Sequence, residues 1–413
     1  MPLTEQLYGV WLGPYRVGTL NQRGDYTWFT FTESYLTDPD RPVLGLTFEQ
    51  DLHAPYASAL RLPPWFSNLL PEGRLRDWIA ADRQVSPHRE MELLAQVGHD
   101  LPGAVRVLPE DLTPTETGDL ATAAGDPYGK DADAEHAGWR FSLAGVSLKF
   151  SMVRKDDRLT LPAHGEGGDW IVKLPDRAYA DVPLNEYAMM SFASAVGIDV
   201  PEVKLVHRDM LDDLPPNIWP GGEEWAYAIR RFDRDDNRDL VHIEDLAQVR
   251  NVYPERKYNG NFETIAALVY RGRDLSALHE FTRRLTFIIL ISNGDAHLKN
   301  WSLIYPDRRI PTLSPAYDLV CTAAYRADGP EDLGLKFGGT RRFVRVNAHT
   351  FTRLEERLHA RGARLADIVA GTVEQTRAKW PQCSALLHSN QTLHEAVHNS
   401  IETHSGILLR RSS

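Results

Sequence analysis

The spacing of the apolar residues changes once along this 413-residue chain, near Phe232. Before that point, short segments rich in Val, Ile, Thr and aromatic residues alternate with Gly- and Pro-containing turns, a pattern typical of strands. After it, from His242 to the end, apolar residues recur mostly every three or four positions, which is typical of helices, with an interruption around residues 295–318. The pattern therefore predicts a β-rich lobe followed by a helical lobe.

A further domain is predicted before the β-rich lobe. It begins with a meander of strand-like segments at 8–12, 15–20 and 26–31, and a helix is predicted from Leu75. The segment after it is rich in Thr, Ala, Gly and Asp and is predicted to be a linker. The predicted boundaries are 1–110 for the N-terminal α/β domain, 111–135 for the linker, 136–232 for the β-rich lobe and 233–413 for the helical lobe.

Composition excludes several classes of protein. Hydrophobic residues make up 42% and charged residues 25%, which is ordinary for a folded globular chain. The two cysteines, Cys321 and Cys383, are too few for a disulfide framework or a thiolate zinc cluster. The most apolar segment, 285–291, is far shorter than the ~20 residues of a membrane span, and the first residues lack the pattern of a signal peptide. We therefore expect a cytoplasmic protein that does not enter a membrane.

The charge balance argues against direct binding of nucleic acid. Lys and Arg number 46 against 57 Asp and Glu, a formal net charge of −11. Proteins that bind nucleic acid usually carry a basic face that neutralises phosphates. The doublets at 230–231 and 341–342 are too short for such a face, and we expect them to be solvated or ion-paired. This chain alone is not expected to bind DNA or RNA.

The densest polar cluster, Asn293-Gly-Asp295-Ala-His297-Leu-Lys299-Asn300, follows the apolar segment directly. Asp295 and Asn300 are five positions apart, which is the Asp-x-x-x-x-Asn spacing of protein-kinase catalytic loops. In that chemistry the carboxylate accepts the proton of the substrate hydroxyl, and the amide oxygen holds Mg²⁺ without competing for the proton. The alternative is an Asn-Gly-Asp turn that caps a helix.

Three more residues extend the kinase-like order. Asp318 follows the strand-like segment 301–305 and is predicted to be the second metal-binding group, although the Asp-Phe-Gly triplet is missing. Lys173 lies in an apolar strand, where an ammonium group is costly to bury without an anion such as a nucleotide phosphate. Glu186, at the start of a helix predicted over 185–196, would orient that lysine. The alternatives are a turn aspartate and an edge-strand lysine that reaches solvent.

In this order the motifs resemble the HipA family of bacterial serine/threonine kinases, the toxins of type II toxin–antitoxin pairs. The segments that carry the resemblance are 65–73, 141–150, 185–186, 229–234, 295–300 and 317–318. The string Asp-x-His-x-Lys-Asn at 295–300 is the specific part. The resemblance implies an α+β fold with a two-lobed protein-kinase-like core and an extra N-terminal α/β domain.

The resemblance also implies roles for individual residues. Asp295 would be the catalytic base, with Lys173 and His297 in the catalytic set, and Asn300 and Asp318 would hold Mg²⁺. Backbone groups of residues 230–232 would form the hinge that reads adenine. The residues implied in binding ATP are Gly145, Val146, Ser147, Lys149, Lys173, Glu186, Arg230, Arg231, Phe232, Lys299, Asn300 and Asp318.

Regulation is implied by the predicted phosphate loop. Ser142, just before its Leu-Ala-Gly sequence, matches the inhibitory autophosphorylation site of the family, and Ser147 is a backup acceptor. Family loops usually carry Gln where this chain has Ser147, which is a departure from the pattern. The alternative is that both serines only bond to the turn backbone.

A competing metal motif lies near the end of the chain. Residues 394–398 read His-Glu-Ala-Val-His, the pattern of zinc proteases, and His404 stands where a third ligand would. However, Leu393, Val397 and Ile401 form an apolar stripe at helical spacing, and Ile401 takes the place of the expected glycine. We interpret the segment as a packed terminal helix and expect no zinc.

The sequence thus predicts an ATP- and Mg²⁺-dependent protein serine/threonine kinase that acts as a toxin. By resemblance it phosphorylates a protein, for which an aminoacyl-tRNA synthetase is a candidate, as well as itself, and its partner is a HipB-like DNA-binding antitoxin. Two alternatives stay open. One is a small-molecule kinase on the same scaffold, and the other is a weakly active or inactive subunit that binds the antitoxin as a co-repressor.

Overall fold

A computed structural model describes residues 5–114, 149–155, 158–161, 167–214, 218–220, 222–326 and 332–410. Ser142, Gly145, Val146 and Ser147 lie outside these residues, as does most of the predicted linker. The described residues divide into two compact units. The first comprises those up to residue 175, with 206–254 and 304–311, and the second comprises 176–205, 255–303 and those from 312 on. The domain boundaries given above stay a prediction.

Most strands in the described residues lie before residue 231. In chain order they are β1 (Glu5–Leu12), β2 (Tyr15–Arg23), β3 (Tyr26–Phe31), β4 (Tyr56–Ala59), β5 (Val105–Pro109), β6 (Lys149–Lys155), β7 (Arg158–Thr160), β8 (Trp170–Lys173), β9 (Val203–His207), β10 (Leu211–Asp212), β11 (Trp225–Arg230), β12 (His242–Asp245), β13 (Ser302–Tyr305), β14 (Thr312–Leu313), β15 (Asp332–Phe337) and β16 (Thr340–Arg342).

The α-helices become longer toward the end of the chain. In chain order they are α1 (Glu33–Thr37), α2 (Pro64–Ser67), α3 (Gly73–Asp82), α4 (Glu90–Val97), α5 (Val182–Ala195), α6 (Leu246–Val249), α7 (Phe262–Tyr270), α8 (Leu275–Leu290), α9 (Ala348–Arg357), α10 (Leu365–Cys383) and α11 (Gln391–Leu408). No helix in these described ranges combines the length and apolarity that a membrane span requires.

The N-terminal sheet is antiparallel, with strand order β4-β3-β2-β1-β5. The predicted meander is therefore confirmed as β1 to β3. One face packs on an aromatic cluster in which Phe48 lies 5.3 Å from Trp65 and Phe29 lies 5.0 Å from Phe66, measured between ring centroids. These four side chains are at most 2% exposed. Aromatic burial of this kind supplies much of the stability of a small α/β layer.

The second sheet of the first unit carries the predicted ATP lysine. Its strand order is β10-β7-β6-β8-β11-β9, and β8 pairs antiparallel with both β6 and β11. The chain passes from the second unit into the first within β9. Trp170 and Val172 of β8 are at most 2% exposed, which explains why this strand reads as apolar. The sheet therefore places Lys173 on a central strand rather than at an edge.

The second unit is built around α8. This helix is 16 residues long, and its residues 284–290 are at most 2% exposed. Helix α10 packs along it, and Phe192 of α5 contacts both Phe287 and Trp380, at 5.2 and 5.6 Å between ring centroids. Met189 and Ala193 of α5 are buried as the predicted stripe requires. Helix α5 is thus confirmed, although it begins three residues earlier than predicted.

The helical prediction after residue 242 is wrong in two places. His242–Asp245 is the strand β12, and Asp332–Phe337 pairs with Thr340–Arg342 in the hairpin β15–β16. Gly338 and Gly339 connect the hairpin with φ of 59° and 81°. Positive φ at both central residues is what a two-residue type I′ turn requires, and Gly-Gly meets it without strain. The Gly-Gly pair after alternating apolar residues was therefore a hairpin signal in the sequence.

The terminal helix α11 is amphipathic, as interpreted. Leu393, Val397 and Ile401 are at most 2% exposed. The ring of His394 lies 5.4 Å from Trp380, and Nε1 of Trp380 donates a hydrogen bond to Nδ1 of His398 at 3.2 Å. The two histidines therefore pack on a tryptophan. Among the described residues, no three His, Cys, Asp or Glu side chains are grouped as metal ligands would be.

Candidate active site

The catalytic-loop candidate begins where α8 ends. Ser292 adopts the left-handed conformation with φ of 51°, and the N–H of Asn293 donates to the carbonyl of Ile288 at 2.9 Å. The hydroxyl of Ser292 lies 3.0 Å from Nε2 of His404 on α11, whose pKa burial lowers to about 4. The chain turns sharply at this C-terminal end of α8. Among residues 293–300, Asp295 is exposed, whereas Asn293, His297, Lys299 and Asn300 stay buried.

Asp295 is exposed at the tip of this turn. Its N–H donates to Oδ1 of Asn293 at 3.0 Å. Its Oδ1 accepts a hydrogen bond from the hydroxyl of Tyr258. The neighbouring Ala296 is 1% exposed, so the loop is anchored immediately after the carboxylate. An exposed carboxylate on an anchored backbone can reach a substrate hydroxyl.

Asn300 and Asp318 lie side by side in the second unit. Nδ2 of Asn300 is 3.4 Å from Oδ2 of Asp318. Oδ1 of Asn300 is buried and has no hydrogen-bond partner in the described part of the chain. A buried acceptor without a donor costs roughly 1–3 kcal/mol, and a cation would satisfy it. Since Mg²⁺ prefers carboxylate and amide oxygens, these two residues fit a magnesium site.

The backbone at Asp318 is left-handed. Its φ is 56°, in the left-handed region, which is uncommon for residues other than glycine. Nδ2 of Asn293 donates to its carbonyl at 3.4 Å. Asp181 and Asp213 share this conformation, so the backbone at Asp318 fits a turn as well as a metal-binding residue.

Asn185 fastens the segment that follows Asp318. Its side-chain amide forms two hydrogen bonds with the backbone of Cys321, donating to the carbonyl and accepting from the N–H, each at 2.9 Å. It also donates to the hydroxyl of Tyr325 at 3.1 Å. Asn185 is fully buried, and Glu186 beside it on α5 is 3% exposed. The helix that carries Glu186 is thereby tied to the loop that carries Asp318.

His297 and Lys299 lie on the buried side of the catalytic loop. They are 7% and 8% exposed. The ring of Tyr258 meets His297 edge to face, with centroids 5.0 Å apart. The carbonyl of Lys299 accepts a hydrogen bond from the hydroxyl of Tyr317 at 3.0 Å. Two tyrosines therefore hold the catalytic loop, Tyr258 at His297 and Tyr317 at Lys299.

In the first unit, two predicted ATP-binding lysines are neighbours. Lys149 on β6 and Tyr227 on β11 are both in register with Lys173 on β8. Cross-strand partners share one face of a sheet, so the two ammonium-bearing side chains lie on the same face. Nζ of Lys173 is 5.6 Å from the centroid of the Tyr227 ring. Two ammonium groups on one face of a sheet suit a surface that binds phosphate oxygens.

The predicted hinge contains a buried ionic network. Arg231 donates to Asp233 at 2.8 and 2.9 Å, to Asp100 at 3.2 Å and to the hydroxyl of Ser151 at 3.1 Å. Arg234 donates to Asp100 at 2.8 Å. The four charged residues are 3–5% exposed. The network connects the hinge to the N-terminal sheet domain within one unit.

Opposite charges set the protonation of this network. Burial alone would raise the pKa of Asp100 and of Asp233, but the guanidinium groups of Arg231 and Arg234 outweigh it and hold both values below the ordinary one. The expectation that the 230–231 doublet is ion-paired is confirmed, since Arg230 also pairs with Asp236 at 2.7 Å. The N–H of Arg231 donates to the carbonyl of Asp169 at 2.8 Å. This backbone N–H is therefore already hydrogen-bonded within the protein, whereas the predicted hinge role would use it to bind adenine.

Sequence reasoning did not assign roles to Tyr258, Asn185 or Asp100. The distance along the chain explains why, since Tyr258 is 37 positions from Asp295 and Asp100 is 131 positions from Arg231. A motif search reads only residues at short, fixed spacing. For Asn185 the available signal was its place beside Glu186 in the segment 185–186, which carries part of the resemblance.

Two stretches of the chain match known families. Residues 141–380 match the HipA-like C-terminal domain, and residues 8–108 match the HipA N-terminal domain. The first match spans more than half of the chain. The chain belongs to the HipA family.

Relatives and a solved structure agree with this. A protein of Sinorhizobium fredii, Y4dM, which is provisionally named a kinase, is 42% identical over 402 residues, 94% of each chain. The serine/threonine-protein kinase toxin HipA of Shewanella oneidensis is 26% identical over 287 residues, 62% of each chain. A HipA chain in a complex with HipB and operator DNA, from the same Shewanella species, matches with a TM-score of 0.72 at 18% identity.

The structural match covers 97% of this chain and 96% of the Shewanella chain. At this identity it is evidence for the fold. The predicted fold class, α+β with a kinase-like core and an N-terminal α/β domain, is therefore confirmed. The resemblance to HipA that the sequence motifs indicated is confirmed as well.

Proposed function

We propose that this HipA-family chain is an ATP- and Mg²⁺-dependent serine/threonine kinase that phosphorylates a protein and itself. Asp295 is the base, Asn300 and Asp318 hold Mg²⁺, and Lys149 and Lys173 contact the ATP phosphates. Glu186, His297, Lys299 and the hinge residues Arg230 and Phe232 complete the proposed set. The observation that carries the proposal is the buried, unsatisfied Oδ1 of Asn300 next to the carboxylate of Asp318.

The proposed reaction needs few groups. The acceptor hydroxyl oxygen forms a bond to the γ-phosphorus as the bond from that phosphorus to the β,γ-bridging oxygen breaks. The hydroxyl proton passes to Asp295, and ADP leaves. When bound, Mg²⁺ neutralises charge on the phosphate oxygens. Since positioning and charge neutralisation do most of the work of phosphoryl transfer, a base, metal ligands and a lysine are sufficient.

Transfer of ³²P from the γ-position of ATP tests the proposal. The wild type, Asp295→Ala and the surface variant Asp212→Asn are each incubated with Mg²⁺ and host lysate. Loss of the base is expected to slow transfer by more than about a hundredfold, as is usual for general bases. Asp212→Asn is expected to match the wild type, because Asp212 lies exposed in an ion pair with Arg158.

The destination of the label separates protein from small-molecule substrates. We expect label in acid-precipitable protein, including the kinase chain itself. Label that stays in the acid-soluble fraction would favour a small-molecule kinase. A wild type that transfers no more label than Asp295→Ala would contradict the proposed kinase activity.

A role as a co-repressor is a second candidate. It is favoured by the Shewanella structure, in which HipA is assembled with HipB and operator DNA. We propose that this chain also binds a HipB-like DNA-binding antitoxin and is the toxin of that pair. A gel-shift titration of operator DNA with the antitoxin, with and without this chain, tests it. Asp295→Ala should shift the DNA as the wild type does if binding and catalysis are separate.

A further inference from the structure

The backbone of Tyr258 is fixed beside Asp295, the predicted base. It follows the short 3-10 helix Pro254–Arg256 and precedes α7. Nη2 of Arg341 donates to its carbonyl at 3.0 Å, and the N–H of Leu298 donates to the carbonyl of Lys257 at 3.1 Å. The same Arg341 donates from Nη1 to the carbonyl of Gly334 at 2.7 Å. The backbone of Tyr258 is thus tied to the β15–β16 hairpin and to the catalytic loop.

The side chain of Tyr258 touches the loop at two points. Its hydroxyl donates to Oδ1 of Asp295, and its ring packs edge to face on His297 at an interplanar angle of 81°. All of these residues belong to the second unit. The ring therefore approaches the loop in one orientation, with its hydroxyl on the carboxylate.

Asp295 needs such a contact more than a buried residue would. It is exposed, whereas Ala296 and His297 after it are at most 7% exposed. An exposed side chain samples several rotamers unless a partner holds it. A phenol that donates to one carboxylate oxygen fixes the side chain and leaves the second oxygen to take a proton.

We propose that Tyr258 is a positioning residue that orients Asp295 for proton transfer. This inference rests on the proposed kinase function. Tyr258 acts through Asp295 and does not itself react. It sets the fraction of enzyme molecules in which the base is aligned, so it acts on kcat and not on the binding of ATP or of the acceptor.

Tyr258→Phe removes the hydroxyl and keeps the ring against His297. We expect kcat to fall about tenfold, the effect of one hydrogen bond to a charged group. The KM values for ATP and for the acceptor are expected to stay within about twofold. Tyr26→Phe, at a tyrosine that is 49% exposed on the N-terminal sheet, is the matched control and should keep the wild-type kcat.

Other kinetic outcomes would overturn the inference. An unchanged kcat would show that the hydroxyl does not orient the base. A lower KM for the acceptor at unchanged kcat would show instead that the hydroxyl occupies the place of the acceptor and blocks it. A rise in both KM values with a lower melting temperature would show a merely structural role.

A second measurement does not depend on activity. Crystal structures of the wild type and of Tyr258→Phe are compared at the Asp295 side chain. We expect one conformer in the wild type and more than one in the variant. A single, unchanged conformer in the variant would overturn the positioning role even if the wild type phosphorylates nothing, whereas an inactive wild type by itself would overturn the proposed function.

Discussion

Nδ2 of Asn300 lies 3.4 Å from Oδ2 of Asp318, while Oδ1 of the same amide is buried with no hydrogen-bond partner in the described residues. The amide group therefore links to the carboxylate through its nitrogen and leaves its oxygen for a ligand. A carboxylate and an amide oxygen in this relation can share one hard cation.

Asp318→Asn is expected to weaken Mg²⁺-dependent binding of ATP by at least about tenfold, because one negative ligand becomes neutral. Calorimetric titration with ATP, in Mg²⁺ and again in EDTA, measures the effect. The fold should stay intact, since Asn can keep a hydrogen bond to Asn300. Equal ATP affinity of the variant and the wild type in Mg²⁺ would contradict the assignment of Asp318.

Autophosphorylation is expected at Ser142, which lies outside the described residues. A phosphoserine adds roughly −1.5 to −2 charges next to a loop that would receive the ATP phosphates. The modified enzyme should therefore bind ATP more weakly. Mass spectrometry after incubation with ATP and Mg²⁺ locates the phosphate, and Ser142→Ala and Ser147→Ala are compared. Phosphate elsewhere than 141–149, or a modified enzyme that binds ATP as before, would count against this prediction.

Asp100→Asn is expected to lower the free energy of unfolding by about 3–5 kcal/mol, because it leaves two buried guanidinium groups with one carboxylate. Arg231 and Arg234 both donate to Asp100, which is 5% exposed. Urea denaturation measures the change. Asp212→Asn, in the exposed pair with Arg158, should leave the denaturation curve where it was. A loss below about 1 kcal/mol for Asp100→Asn would show that the network adds little.

The pH dependence of stability is expected to contain a contribution from Glu244. This carboxyl is fully buried and accepts hydrogen bonds from the N–H of Leu46 at 2.9 Å, from Nε1 of Trp65 at 3.2 Å and from the hydroxyl of Tyr305. Burial raises its pKa from 4.5 to about 7. Between these values the folded chain holds a proton that the unfolded chain has released.

It follows that this contribution is complete below pH 4.5 and is lost as pH rises toward 7, with a slope of at most about 1.4 kcal/mol per pH unit. His242 and His404 act in the opposite sense, since burial lowers each pKa to about 4 and stability falls as pH drops from 6.5 to 4. Subtracting the profile of Glu244→Gln from that of the wild type isolates the carboxyl. A flat difference between pH 5 and 7 would refute the prediction.

Local patterns in the sequence predicted those features that depend on neighbouring residues. The stripe that includes Met189 and Ala193 predicted α5, because a helix buries residues that are three or four positions apart. The spacing of Asp295 and Asn300 predicted a polar site, and the structure places Asn300 next to Asp318. The strand that carries Lys173 was predicted from its apolar flanks.

Contacts between distant residues were not predicted. No short spacing relates Tyr258 to Asp295, or Asp100 to Arg231, and each pair is made by tertiary packing alone. Strand β12 has only four residues, too few for a pattern to emerge against its helical neighbours. The β15–β16 hairpin was missed because helical spacing predominates on both sides of its short Gly-Gly turn.

The ionic network between Asp100 and Arg231 has a consequence for synthesis of the chain. Their separation of 131 positions means that the ribosome must add that many residues before the carboxylate meets its partner. At about 5–20 residues per second, Asp100 waits on the order of ten seconds. During this interval the nascent N-terminal sheet keeps an acidic group in water that later lies in the interior. Translation that stops before Arg231 would leave Asp100 without Arg231 and Arg234.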